Sequence, residues 1–165
     1  QEFVSYRFKD LSENHRLEFQ FFPFHKPNLL LLSADQSIEI FCNLSSDGHC
    51  VLIGGKVAQN VSYTDLITAA SLLLRDNGAR YIEMIVRADK PKIVDSIMRA
   101  KMIPSAFFPA LQLKDDQRWD FIVFSRSFEI FDFQNVRLQG INERYLEEYF
   151  KAWKSIHLSP QMLDV

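Results

Sequence analysis

The sequence predicts an α+β fold in which helices flank a mixed, mostly antiparallel sheet, giving α/β/α-like layers. Two stretches lead to this prediction. From Ser62 to Glu129 the pattern runs helix, strand, helix and strand hairpin, with a very short helix-to-strand connection. Upstream, the run Ser45–Gly48 separates two apolar strands, and its Asp-Gly pair supplies the positive φ that a hairpin turn needs. A strand-helix-strand path joins parallel neighbours and hairpins add antiparallel ones, so the sheet is expected to be mixed.

The first helix of this region has signals at both ends. Ser62 is placed as its N-cap, with Asp65 three residues later, close to a capping box. Gly78 is placed to close the helix, and the strand Tyr81–Val86 follows at once. Apolar residues recur between the two ends at helical spacing; they are Leu66, Ile67, Ala70, Leu73 and Leu74.

The second helix and the hairpin after it are also marked by local signals. Asp89 is predicted to cap the helix, and Pro91 lies in its first turn, where no backbone donor is lost. Pro104 ends the helix. Two strands then meet at a turn over residues 114–117. This hairpin is expected to complete the sheet.

The first part of the chain is predicted to be strands with one helical candidate. Phe3–Phe8 alternates weakly and Arg16–Phe21 alternates strictly, whereas the helical candidate lies near Asp10–Glu18. Leu29–Leu32 is a continuous apolar run, consistent with a buried strand or a short helix. Farther on, Gly54-Gly55 indicates a bulge or a close approach of other backbone.

The end of the chain predicts one more helix, capped by Asn142. One face of it is aromatic and apolar: Tyr145, Leu146, Tyr149, Phe150 and Trp153. Such a face is expected to bury somewhere, and we favour docking on the chain's own sheet over a site for a partner.

The composition is that of a globular protein, and it excludes some classes of partner. The 165 residues fit one domain, and a hydrophobic content of 47% argues against disorder. A net charge of -2 leaves no basic field for nucleic acid. No apolar run approaches the ~20 residues that span a bilayer, and no signal peptide is visible, so we expect a cytoplasmic protein. The start at Gln1 is consistent with an excised domain or a processed fragment of a longer protein.

The two cysteines, Cys42 and Cys50, form no CxxC pair and are expected to be free thiols. Cys50 lies in an apolar strand, which favours packing over a nucleophilic role. His15, His25 and His157 are scattered without the spacing of a metal site.

The order hairpin, helix, strand, helix, hairpin over about residues 37–129 is similar to the core of the GNAT superfamily of N-acetyltransferases. The stretch Met102–Ala110 resembles that family's step from a helix to its penultimate strand. The resemblance implies one GNAT-like domain over residues 1–165, with 1–36 remodelled and 134–165 as a C-terminal helical extension. It also implies acetyl-CoA or another acyl-CoA as co-substrate, and a small-molecule or peptide amine as acceptor. A second copy or a covalently linked neighbouring domain is left open as a further partner.

In this family a glycine-rich loop before a helix holds the CoA pyrophosphate. The matching loop here implies cofactor binding by six residues: Val57, Ala58, Gln59, Asn60, Val61 and Ser62. It contains no glycine, so the chain resembles a divergent member. The following helix N-terminus still offers free backbone donors and a partial positive charge to an anion.

Glu83 is the candidate base for an acyl transfer to an amine. It sits in a strand expected at the centre of the sheet, where a carboxylate is costly unless it is paired or faces a cleft. The competing interpretation pairs it with Arg80 or Arg87, or points it to water. Tyr81 shares its face and is a candidate proton donor, although buried tyrosines are often structural. His49 is a second candidate base, although turn histidines are often simply exposed.

Two functional hypotheses follow from the resemblance. The first is an acyl-CoA-dependent N-acyltransferase. The second is a catalytically inactive GNAT-like module that serves as a binding or structural domain of a larger protein. It is favoured by the missing glycines and by Ile97, which stands where the family often has a tyrosine that protonates the leaving thiolate.

Overall fold

A computed structural model describes residues 2–17, 19–20, 25–129 and 136–158. Along the chain the elements are α1 (Glu2–Glu13), β1 (Phe19–Gln20), β2 (Leu29–Leu32), β3 (Glu39–Leu44), β4 (His49–Lys56), α2 (Tyr63–Asp76), β5 (Tyr81–Arg87), α3 (Pro91–Arg99), β6 (Ile103–Lys114), β7 (Gln117–Ser127) and α4 (Ile141–His157). No helix within these described ranges is both long and apolar enough to cross a membrane.

The strands form one mixed sheet in the order β2-β3-β4-β5-β7-β6, with β1 paired to β4 beside this path. The pair β4–β5 is parallel, and every other pairing between the described strands is antiparallel. The prediction of a mixed, mostly antiparallel sheet flanked by helices is therefore confirmed.

Both predicted hairpins are confirmed, and each turn uses residues at positive φ. Gly48 closes the first turn at φ 85°, and a Cβ there would lie 2.6 Å from the Cγ of Arg80. Asp115 and Asp116 form the second turn at φ 53° and 58°. Asp and Asn tolerate this region better than most residues because their short side chains bond locally.

The core lies between the sheet and the pair of helices α2 and α3. Side chains of β5 alternate, so Ile82 and Met84 point to these helices while Tyr81 and Glu83 point to the opposite face. The large side chains that are fully buried in this layer include Leu52, Ile67, Leu74, Ile97 and Phe124. The Ser62 Oγ accepts a hydrogen bond from the Asp65 N–H at 3.4 Å, which confirms the predicted cap of α2.

The N-terminal strand predicted over Phe3–Phe8 is wrong, because these residues belong to α1. The helix also begins well before the Asp10–Glu18 candidate. The Phe8 ring meets Phe41 of β3 edge to face at 5.2 Å, on the side of the sheet opposite α2 and α3. Within the strand predicted over Arg16–Phe21, Phe19–Gln20 is observed as β1, whereas residues 16 and 17 are not in a strand and residues 18 and 21 lie outside the described part of the chain.

Two predicted caps are also wrong. The carboxylate of Asp89 is bound by Arg87 at 2.7 Å, and α3 begins at Pro91 after Lys90, which makes no side-chain cap. Helix α4 begins after Gly140, so Asn142 lies inside its first turn. The docking of α4 on its own sheet is confirmed by a hydrogen bond of 3.2 Å from the Tyr145 hydroxyl to the Pro104 carbonyl.

Candidate active site

The parallel strands β4 and β5 separate shortly after they meet. Their register runs from His49↔Tyr81 to Val51↔Glu83. Beyond this point β5 pairs only with β7, and β4 pairs with β3 and β1. The sheet therefore opens between two neighbouring parallel strands at the level of Glu83.

A bulge in β4 accompanies the opening. On β3, Phe41 and Cys42 are consecutive, but their partners on β4 are Gly54 and Leu52, which leaves Ile53 as an extra residue. A bulge bends its strand and increases the local twist. This bulge lies beside Gly54, as the Gly-Gly pair in the sequence predicts.

Glu83 lies at the point where the two strands part. Its side chain is 24% exposed, and its Oε1 lies 3.3 Å from the Nε2 of His49. The angle between the two groups does not satisfy a hydrogen bond, and Nε2 of His49 is buried without another hydrogen-bond partner among the described residues. The contact is therefore an electrostatic one, and it becomes an ion pair only when the imidazole is protonated.

The arginines near Glu83 in sequence are occupied elsewhere. Arg80 binds Glu129 at 2.7 Å, and Arg87 binds Asp89 at 2.7 Å. The interpretation that pairs Glu83 with Arg80 or Arg87 is wrong for this structure. A carboxylate next to an imidazole on the opened face is the arrangement observed instead.

Tyr81 lies on β5 opposite His49 of β4. Its ring centroid lies 5.5 Å from that of His49. Burial raises the pKa of the Tyr81 hydroxyl, and the neighbouring hydroxyls of Ser125 and Ser105 partly offset this rise. A phenol with a raised pKa keeps its proton to higher pH, so Tyr81 is protonated at neutral pH.

Helix α4 brings a second phenol to the same place. Burial raises the pKa of Tyr149, and the Ser125 hydroxyl partly offsets this rise, as it does at Tyr81. Ser125 is close enough to act on both phenols, but the geometry of its Oγ satisfies no hydrogen bond among the described residues. The sequence signalled Tyr149 only as part of an aromatic face, because nothing local shows where α4 docks.

The loop predicted to hold the cofactor lies past the end of β4 and leads into α2. Gln59 and Asn60 are exposed, and Asn60 has φ 68°. Val57 and Val61 pack against the core, and Ser62 caps the helix. The loop therefore presents backbone and two polar side chains to solvent rather than a glycine-lined cradle.

The other sequence candidates lie outside this site, except His25. The ring of His25 lies 6.5 Å from that of His49, edge on. Cys42 and Cys50 are free, fully buried thiols. Across the described ranges, no three His, Cys, Asp or Glu side chains are grouped as a metal site requires.

Comparison with solved structures relates the fold to acetyltransferases. The ribosomal-protein-S18-alanine N-acetyltransferase of Escherichia coli superposes with a TM-score of 0.50 at 14% identity, covering 79% of this chain and 94% of that one. A probable GNAT-family acetyltransferase of Chromobacterium violaceum gives 0.51 at 15% identity, covering 63% and 58%. A probable acetyltransferase of Staphylococcus epidermidis gives 0.50 at 8% identity, covering 59% and 65%.

This chain thus spans less than two thirds of the length of the last two proteins. Sequence comparison finds no match among protein-family models or curated proteins. The predicted fold is nevertheless confirmed, because the chain has the fold of these acetyltransferases, one of which is of the GNAT family.

Proposed function

We propose that this protein is an acyl-CoA-dependent N-acyltransferase, which transfers the acyl group of a CoA thioester to an amine. The observation that carries the proposal is the separation of β4 and β5 at Glu83, within an acetyltransferase fold. An opening between parallel strands exposes backbone donors and acceptors that an amide-containing ligand can pair with. The carboxylate of Glu83 and the phenol of Tyr81 lie at this opening, which supports the proposal.

Acetyl-CoA or another acyl-CoA is the proposed co-substrate. Its phosphates are assigned to residues 57–62 and the first turn of α2, where helix N–H groups lack intrahelical partners and the dipole favours an anion. The Ser62 hydroxyl occupies one of these donors, that of Asp65. The pantetheine arm of acyl-CoA contains two amides and is assigned to the gap between β4 and β5.

Glu83 is proposed as the base. Bound acyl-CoA supplies an electrophilic thioester carbonyl; the amine nitrogen bonds to that carbon and the carbon–sulfur bond breaks. Glu83 accepts the proton that leaves the nitrogen, directly or through a water molecule. Tyr81 donates a proton to the departing thiolate. His49, 3.3 Å from Glu83, is the second candidate base.

The acceptor is proposed to be a small-molecule or peptide amine that approaches on the face of the sheet carrying Tyr81 and Glu83. Tyr149 of α4 borders this face. A primary amine in its neutral form is required for attack, so a nearby carboxylate both attracts the ammonium and takes up its proton.

Binding of acyl-CoA is tested by thermal unfolding with CoA, acetyl-CoA and longer acyl-CoAs. A ligand that binds only the native state at 100 times its Kd adds about 2.7 kcal/mol, which raises the Tm of a domain of this size by about 5–10 °C. No rise at millimolar ligand would contradict the proposal.

The phosphate site is tested with a matched pair of charge changes. Gln59→Glu places a negative charge on the exposed loop before α2 and is expected to weaken CoA binding by about tenfold. Gln139→Glu makes the same change on the exposed chain before α4 and is expected to leave binding unaltered. Equal affinity for CoA in both variants would contradict the assignment of the phosphates to this loop.

A further inference from the structure

One edge of strand β4, called here its inner edge, has a different neighbouring strand at each end, β5 at one and β1 at the other. Strand β3 occupies its outer edge from Glu39↔Lys56 to Leu44↔Cys50. Because a strand has only two edges, both β5 and β1 must lie on the other one. There β5 pairs with the first residues of β4, and β1 pairs with Gly54 and Gly55. The segment β1 thus lies on the edge that β5 leaves when the sheet opens.

The β1–β4 ladder consists of only two described residue pairs. Its register is Phe19↔Gly55 and Gln20↔Gly54, and two antiparallel residue pairs share about two backbone hydrogen bonds. Both glycines are buried, and they bring no side chain to the contact. On the side of β4 the contact is therefore made by backbone alone, and an extended group with an amide donor and acceptor can pair there instead.

We infer that β1 and the pantetheine arm of acyl-CoA compete for the same edge of β4, so that β1 must leave before the cofactor binds. This inference rests on the proposed function and adds a regulation to its site. The arm carries amide N–H and C=O groups that pair with an open strand edge as a peptide does. Both occupants cannot pair with the inner edge of Gly54 and Gly55 at once.

Competition lowers the apparent affinity for the cofactor. The observed Kd equals the intrinsic Kd divided by the fraction of molecules in which β1 is detached. A change that weakens β1 without touching β4 is therefore expected to tighten CoA binding. The same displacement is expected to break the bond between the β1 amide and β4 whenever CoA is bound.

The first experiment measures hydrogen exchange of the wild-type protein with and without CoA, with binding followed separately by calorimetry. Asn28 and Ser33 donate to the carbonyls of Cys42 and Ile38, so Phe41 bonds to Gly54 and the groups of Gly55 face β1. The Phe19 amide is therefore the one that bonds to β4. On saturation it is expected to exchange about tenfold faster, and the amides of Gly54 and Gly55 no faster. Binding with unchanged or slower exchange in β1 overturns the inference and leaves the proposed function intact. Failure of CoA to bind at all overturns both.

A second experiment uses Phe19→Pro, because proline removes the backbone donor of the Phe19↔Gly55 pair. It is expected to tighten CoA binding by about tenfold. Gln139→Pro, in the exposed chain before α4, is the matched control and is expected to bind like the wild type. Unchanged or weaker binding by a folded Phe19→Pro protein overturns the competition.

Discussion

Replacing Arg7 tests how helix α1 is held on the sheet. The Arg7 guanidinium donates from Nη2 to Oε1 of Glu39 at 2.6 Å and from Nε to Oε2 at 2.9 Å. The Glu39 side chain is only 6% exposed, whereas that of Arg7 is 31% exposed. Arg7→Met keeps much of the apolar stem and removes the charge. It leaves a buried carboxylate with one weaker partner, Lys56, whose Nζ lies 3.6 Å away.

The expected loss follows from this geometry. Breaking a fully buried ion pair costs about 3–5 kcal/mol. Because Arg7 is partly exposed and Lys56 remains, we expect Arg7→Met to lower the free energy of unfolding by about 2 kcal/mol. The corresponding fall in Tm is about 4–8 °C for a domain of this size.

Urea unfolding near pH 7 measures the loss, with Glu39→Gln and the double variant completing a thermodynamic cycle. Lys9→Met is the control, since the Lys9–Glu13 pair is exposed and its atoms are 3.7 Å apart; it is expected to cost less than about 0.5 kcal/mol. If Arg7→Met is no more destabilising than Lys9→Met, the ion pair does not anchor α1.

The contact between Arg7 and Glu39 also affects how stability depends on pH in acid. The hydrogen bond from Arg7 holds the pKa of Glu39 below its usual value. Between the folded and unfolded pKa values the unfolded chain binds more protons, so stability rises with pH across that window. The contribution of Glu39 is thus present above about pH 4.5 and is lost as the pH falls through the folded pKa. Arg7→Met is expected to make the free energy of unfolding depend less on pH below about 4.5.

Three further predictions concern single positions. Burial raises the pKa of Tyr81, so the wild type should lose stability as the pH rises above about 10. Urea unfolding of Tyr81→Phe should show a smaller loss of stability over this pH range. An identical fall in stability with pH in both proteins would contradict the prediction. Cys42 and Cys50 are fully buried, so a thiol reagent should label them only when the protein unfolds, and rapid labelling of the native protein would contradict their placement. Gly48→Ala should cost about 1–2 kcal/mol from positive φ plus a steric term from the 2.6 Å approach to Arg80. It should therefore cost more than Gly78→Ala, where φ is also positive but the Cβ meets nothing within 4 Å, and equal losses on urea unfolding would contradict the steric term.

The hairpins and α2 were predictable because their signals are local. The Asp-Gly turn before His49 and the cap at Ser62 each depend on residues a few positions apart. Such contacts form in the same way whatever the rest of the chain does. The order of elements then determined the mixed sheet, since connection length restricts which strands become neighbours.

The N-terminal helix was missed because its best contacts are distant in sequence. Arg7, Phe8 and the buried Leu11 have the spacing of one helix face, but the partners of Arg7 and Phe8 lie on β3, about thirty residues away. The weak alternation over Phe3–Phe8 instead favours a strand. Tertiary contacts decide between helix and strand when local preferences are weak.

The wrong cap at Asp89 has a specific cause. Asp is a good N-cap, but Arg87 lies two residues before it and binds both oxygens of its carboxylate, at 2.9 and 2.7 Å. A charged partner offers a stronger bond than a backbone N–H of the helix. The sequence contains both residues but does not show which partner the carboxylate takes.

Only part of the candidate site was visible in the sequence. Strand alternation places Tyr81 and Glu83 on one face. The contact of Glu83 with His49 depends on the register of a parallel pair whose strands are joined through α2, which no local pattern specifies. The approach of Tyr149 to Ser125 depends on the docking of α4. These long-range placements were available only from the structure.

Transfer of an acyl group is tested most directly by mass spectrometry after incubation with ¹³C-labelled acetyl-CoA and a library of small amines and peptides. The wild type is expected to form a labelled amide, and Glu83→Gln is expected to form it about 10²–10³-fold more slowly with unchanged CoA affinity, because an amide cannot accept the proton. A protein that binds acetyl-CoA but forms no labelled amide above the protein-free control would contradict the proposed activity and indicate a binding module.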